Sequence, residues 1–264
     1  MTKEPNRYTQ LIETIFLKHY RDGLKEISFE RNEIEEAASK LKIKLPKNLG
    51  DVIYSFRYRT QLPESIVSKA PVGYQWLIRP AGISKYKFVL IKESVISPSE
   101  MLAETKIPDA TPGIISRYAL TDEQAVLAKI RYNRLIDIFT GITCYSLQNH
   151  LRTVVKELGQ VETDEIYIGL DKRGVQYVLP VQAKSKKDRV GIIQIEQDIA
   201  ICALKFPDLI CRPIAAQSMS NDLIALFEFE QSKDDIKIAS ERHYRLVKAK
   251  DVSVEELKQY QQRF

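Results

Sequence analysis

The sequence predicts an α/β chain in two parts: an N-terminal helical module with a small sheet, and a C-terminal α/β (α+β) core whose central mixed sheet is flanked by helices. Three observations predict it. Helical-period apolar stripes and short alternating runs interleave through residues 1–95. From Ser94 to Thr121 the pattern breaks, with Pro98, Pro108, Pro112 and Gly113 among serines and threonines. Beyond it, helices and strand-like runs resume, with the strands in the majority. The expected division is therefore a module over 1–95, a linker over 96–120 and a second domain over 121–264.

In the first part, Tyr8, Leu11, Ile12, Ile15, Phe16 and His19 recur at helical spacing and Gly23 closes the helix. Glu26 to Glu30 alternates as a short strand. Asn32 with Glu35, and Asn48 with Asp51, read as capping boxes opening helices to about Leu41 and Arg57. Strands follow at Tyr74–Arg79 and Tyr86–Ile91 around an Ala81-Gly82 turn, and Trp76, the single tryptophan, is expected in the core. In the connection, Ile114 to Tyr118 is apolar enough to dock on a neighbouring surface.

This order of helix, strand, helix, turn, helix and two strands resembles a winged helix-turn-helix. That resemblance implies a helix from Asn48 offered to the DNA major groove, with Lys42, Lys44 and Lys47 on phosphates, Arg57 and Arg59 at its exit, and Lys85 and Lys87 on the wing. Winged helices also serve as protein-interaction modules.

In the second part, Thr121 with Gln124 forms a capping box for a helix carrying Ala128, Tyr132, Leu135, Ile136 and Phe139, and a further helix is expected from Tyr145 to Leu158. Ile166 and Ile168 alternate into Asp171-Lys172-Arg173-Gly174, a turn with glycine where a left-handed residue is needed, and Gln176 to Ala183 runs back as the second strand of a hairpin. Alternation places Gln182 and Lys184 side by side on one face, beyond Pro180, a residue that favours sheet edges or bulges. A helix from Val190 to Phe206 is apolar on most sides, so Gln194, Gln197 and Asp198 near its start stand out. Strands at Ile210–Ala216, Leu223–Glu230 and Lys237–Lys248 precede a helix capped by Ser253 and Glu256.

An acid before a hairpin, a Gln-x-Lys at the end of its second strand and a glutamine on the next helix together resemble the PD-(D/E)XK nuclease superfamily, the restriction-endonuclease-like proteins. The resemblance covers roughly residues 121–230 and implies a metal-dependent endonuclease hydrolysing DNA phosphodiesters. Carried over by position, Asp164 is the first acid, Gln182-Ala183-Lys184 the acid-x-lysine, and Gln194 the helix residue. The implied metal is Mg2+, with Mn2+ as a substitute, on Asp164 and Gln182. A carboxylate suits a hard cation, and a lysine beside it can orient the attacking water or offset charge in the transition state. The chain departs from the family at Gln182, where Asp or Glu is usual; Glu162 or Glu165 could supply the missing charge. Asp164 and Glu165 point to opposite faces, and Asp164 is the preferred ligand. Gln148, Asn149, His150 and Arg152 are further polar candidates near the site, and Lys186, Lys187 and Arg189 form a basic loop after the strand.

Composition fits this reading. The 264 residues are 44% hydrophobic and 28% charged, with net charge +5. Residues 1–95 hold 17 Lys+Arg against 11 Asp+Glu, so the surplus lies in the N-terminal part, as nucleic-acid binding would use it. No run approaches a membrane span and the first residues are charged throughout, so a cytoplasmic location is expected. Cys144, Cys202 and Cys211 lie in apolar segments without metal spacing, as buried thiols do. No P-loop, G-x-S-x-G or G-x-G-x-x-G is present. DNA is the expected partner, a homodimer would supply two sites for duplex cleavage, and a restriction role would link the chain to a DNA methyltransferase. The alternatives are a non-catalytic DNA-binding protein retaining a degenerate nuclease fold, and a protein-interaction module.

Overall fold

A computed structural model describes residues 7–58, 60–92, 96–118, 123–156, 158–186, 188–220, 222–232 and 235–262. The chain divides into two compact units, residues 1–95 with 154–160, and residues 96–153 with 161–264.

The first unit runs α1 (Arg7–His19), β1 (Glu26–Glu30), α2 (Asn32–Leu41), α3 (Gly50–Tyr58), α4 (Glu64–Val67), β2 (Tyr74–Pro80) and β3 (Lys85–Lys92). Its strands form an antiparallel sheet in the order β1-β3-β2. The stripe read from the sequence is the buried face of α1: Leu11, Ile12, Ile15 and Phe16. Phe16 meets Trp76 and Phe88 edge-on, with centroids 5.2 and 5.0 Å away, so the tryptophan is core. Asn48 caps the start of α3, its Oδ1 accepting from the Gly50 N–H at 3.1 Å, but the reciprocal box is not made: Asp51 accepts from the Asn48 side-chain amide rather than from its backbone N–H. The Asn32 box does not form either. Asn32 already lies inside α2, whose cap position is Arg31 in helical geometry without a side-chain bond, while Glu33 reaches back to the Glu30 N–H.

Apart from residues 154–160, where β5 ends and β6 begins, the second unit contains β4 (Glu104–Pro108), α5 (Gly113–Tyr118), α6 (Glu123–Tyr132), α7 (Leu135–Thr140), β5 (Thr143–Val155), β6 (Gly159–Leu170), β7 (Gln176–Lys184), α8 (Ile192–Lys205), β8 (Ile210–Cys211), β9 (Ile214–Ser218), β10 (Leu223–Ser232), β11 (Asp235–Val247) and α9 (Val254–Gln261). The sheet order is β4-β11-β10-β9-β7-β6-β5, with β8 beside β7. It is mixed: β7 runs parallel to β8 and β9 and antiparallel to β6, and β4 runs parallel to β11. Helices α6 and α7 cover one face, where Leu127, Ile130 and Leu135 pack on Leu179, Val181 and Ala183. Alternation turns Gln182 to the other face, where it meets α8.

Several expectations are corrected here. The segment from Tyr145 to Leu158 is not a helix but most of β5, at one end of the sheet order. Its β-branched Thr153, Val154 and Val155 favour that state, and pairing in the sheet overrides the helical spacing of Leu147, Leu151, Val154 and Leu158. The 96–120 stretch is more than a connection. It contributes β4 and α5, and the buried Asn133 clamps it by accepting from the Ala110 N–H at 2.7 Å and donating to Asp109 and Thr111. Within it Ile114 and Tyr118 remain exposed rather than docked. Pro180 is not at an edge: it sits in β7, between β6 and β9. It is tolerated there because the parallel neighbour is broken at Arg212-Pro213, between β8 and β9, opposite this part of β7. Cys144 and Cys202 are buried free thiols, whereas Cys211 is only partly buried. The Ser253–Glu256 capping box forms as read. Thr121, Lys187 and Arg59 lie outside the described residues, as does the side chain of Arg57.

Candidate functional site

The β6–β7 ladder runs from the turn, where Gly174 has φ +84°, to the pair Glu165–Val181, and there it stops. Beyond it β7 continues on β9 as far as Lys184. A polar side chain takes over the freed backbone donor: the Ala183 N–H donates to Asp164 Oδ2 at 2.9 Å. Asp164 is thereby held between parting strands rather than on either face. Burial pushes its carboxyl above the ordinary value, against the opposing pull of the Lys184 charge and the Ala183 N–H.

Five further side chains lie around this point. Lys184, itself buried, reaches Glu123 at the start of α6, Nζ to Oε1 2.8 Å. Gln182 donates through Nε2 to Asp198 Oδ1 on α8 at 2.9 Å and, weakly, to the Glu162 carbonyl at 3.4 Å. Gln194 Nε2 approaches Gln182 Oε1 at 3.5 Å. The expectation that Gln182 and Lys184 project side by side is thus only half met. Their backbones share a parity, but one head turns to α8 and the other to α6.

Asp198 is fully buried. Burial raises its carboxyl well above the ordinary value, and the charge of Asp164 adds to that, while the hydrogen bond from Gln182 and the nearby Thr163 hydroxyl oppose it. Its Oδ2 completes no hydrogen bond.

Glu165 has a different setting. It is fully buried and its Oε1 accepts from Arg131 Nε at 3.0 Å and Nη2 at 2.9 Å, and from Ser146 Oγ. That carboxylate is committed to α6 and β5. Glu162 is committed as well, to His150 Nδ1 at 3.2 Å and Arg152 Nε at 2.8 Å. His150 lies on β5 with a left-handed φ of +50°, a conformation costly for a non-glycine residue, and its Nε2 is 3.0 Å from Gln124 Nε2. Asn149 is taken by Arg131.

Sequence reasoning missed Glu123 as the partner of Lys184 and Asp198 as the partner of Gln182. The only available signal for Asp198 was a charge on an otherwise apolar helix; Glu123 gave none, being 61 residues from its partner.

Among the described residues no three His, Cys, Asp or Glu side chains cluster as a metal site. A divalent cation here would rest on the Asp164 carboxylate and the Gln182 carbonyl, completed by water. Such a set suits Mg2+, which is usually held by one or two carboxylates and keeps several waters.

In the first unit Lys42, Lys44, Lys47 and Lys85 are exposed. Lys85 lies 3.8 Å from Glu30, and Lys87 pairs with Glu26 at 3.0 Å. No helix of the described residues is long and apolar enough to cross a membrane. No protein-family model, curated protein or solved structure matches the chain.

Proposed function

We propose that the protein is a metal-dependent endonuclease that hydrolyses DNA phosphodiester bonds, a restriction-type enzyme acting as a homodimer. The observation that carries this reading is Asp164, seated between the separating strands on the Ala183 N–H and beside the buried Lys184. An ordinary sheet would continue the ladder. Here a carboxylate and a lysine, both costly to bury, lie near where it opens, close enough for the lysine charge to act on the acid although its ammonium bonds Glu123.

The roles follow from the chemistry of each group. Asp164 and the Gln182 carbonyl hold the cation; Mg2+, once bound, would polarise a phosphate oxygen and lower the pKa of a bound water. Lys184 orients the attacking water and offsets the negative charge gathering on the phosphate. Glu123 keeps the ammonium in place before DNA arrives. Gln194 holds a water or a phosphate oxygen.

The first unit is assigned DNA binding. Its element order and its β1-β3-β2 sheet fit a winged helix-turn-helix with α3 as the groove helix, and its exposed lysines suit phosphates. A restriction role would pair the enzyme with a DNA methyltransferase that protects the host sites.

A second reading is favoured by one observation, the neutral Gln182 drawn to Asp198. On it, the fold binds DNA without cutting. Incubating plasmid and linear DNA with protein in Mg2+, Mn2+ or EDTA separates the two. Metal-dependent cutting, reduced about 100-fold or more in Asp164→Ala and in Lys184→Ala, supports the enzyme. Salt-sensitive binding without cutting supports the second reading.

A further inference from the structure

The Gln182 amide has its orientation imposed from behind. Its two acceptors are Asp198 Oδ1 at 2.9 Å and the Glu162 carbonyl at 3.4 Å, both on its Nε2. A backbone carbonyl can only accept, so a flipped amide would set oxygen against oxygen there, whatever the protonation of Asp198. Its Oε1 must then face the other way, where Gln194 Nε2 stands at 3.5 Å, the outer limit of a hydrogen bond. This oxygen is oriented yet loosely held, as a ligand atom should be.

Asp198 has no other evident task. It is fully buried on α8, and among the described residues no basic side chain bonds to it and its second oxygen completes no hydrogen bond. A buried carboxylate kept at such cost calls for a function. The charge that the nuclease resemblance expects at position 182 stands one layer further back, on the helix.

We propose that Asp198 is a positioning residue, which fixes the Gln182 amide so that its carbonyl oxygen serves as a neutral ligand to the divalent cation beside Asp164. The inference rests on the nuclease reading. Partners behind a metal ligand typically carry a 10–100-fold share of metal affinity.

The test is calorimetric titration of the full chain with Mn2+, beside urea melts. Wild type binds Mn2+ and Asp164→Ala does not. Asp198→Leu, which removes the acceptor while filling the space, keeps or raises the melting midpoint yet binds Mn2+ about 10–100-fold more weakly. Asp198→Asn keeps an acceptor for Gln182 and stays within a few fold of wild type. Gln182→Met loses as much affinity as Asp198→Leu, and adding Asp198→Leu to it costs nothing further, since both act through one oxygen. This pair of variants decides the matter if Asp198→Leu alone does not fold: Gln182→Met binding like wild type overturns the proposal. Asp198→Leu binding within twofold of wild type, while Asp164→Ala abolishes binding, also overturns it and leaves the nuclease reading intact. No Mn2+ binding by wild type overturns both.

Discussion

At the turn end of the β6–β7 hairpin, burial alone would raise the Asp171 carboxyl, but the N–H groups of Val175 and Arg173, with the Arg173 and Tyr177 side chains, outweigh it and hold it at about 2. At the open end the balance is reversed. Burial dominates at Asp164 and at Asp198, and the few donors present do not compensate. Between them lies Glu165, as buried as Asp198 but bonded to an arginine and a serine. One hairpin therefore carries a carboxylate with several donors at its turn, Asp171, one ion-paired through a single oxygen, Glu165, and, in the next position toward the open end, Asp164 with one backbone donor. Compensated charge holds a fold together. Uncompensated charge, sustained by its surroundings, is what a ligand or substrate would complete.

The largest effect that sharpens this contrast is at Glu165. Glu165→Ala leaves Arg131 without its carboxylate; because Arg131 is 38% exposed and water screens the charge left behind, the loss should be about 2–3 kcal/mol, which urea unfolding should show. A loss under about 1 kcal/mol would break the distinction between the two acids.

A smaller effect is expected at Gly169, in the same hairpin on the α7–β5 side. A Cβ there would stand 2.5 Å from Ile142 Cγ2 and 3.1 Å from Leu179 Cδ1, both core atoms. Gly169→Ala should cost about 1–3 kcal/mol through overpacking, read as a lowered unfolding midpoint with no change in DNA affinity.

The smallest effect depends on pH. The Asp171 carboxyl falls from its ordinary 3.8 to about 2 in the fold, so its contribution is complete above 3.8 and disappears as pH falls through that window. The stability difference between wild type and Asp171→Ala should be constant near neutrality, shrink below pH 3.8 and vanish near pH 2. A difference that persists at pH 2 would mean that the side chain acts by packing alone.

Much of the fold was legible in local pattern. The α1 stripe, the β1 alternation, the Asp171–Gly174 turn, helix α8 and the Ser253–Glu256 cap all depend on neighbours a few residues apart. What escaped was set at long range. Strand β5 shows no sustained 2-residue period, while Leu147, Leu151, Val154 and Leu158 recur at helical spacing, so local pattern pointed to a helix. Pro180 signalled an edge or a bulge without deciding between them, because the break in its parallel neighbour lies more than thirty residues later. The residue types of the candidate site were readable from the order acid, hairpin, Gln-x-Lys and helix glutamine. The pairings that give them their environments, Lys184 with Glu123 and Gln182 with Asp198, depend on which helix covers which face.

The measurement that tests the central claim most directly is the single-turnover rate of plasmid cleavage in Mg2+ by wild type, Asp164→Ala and Glu165→Gln. The account predicts cutting by wild type that EDTA stops, a loss of about 100-fold or more in Asp164→Ala, and retained cutting in folded Glu165→Gln. Asp164→Ala cutting at the wild-type rate, or wild type binding DNA without cutting it, would contradict the account.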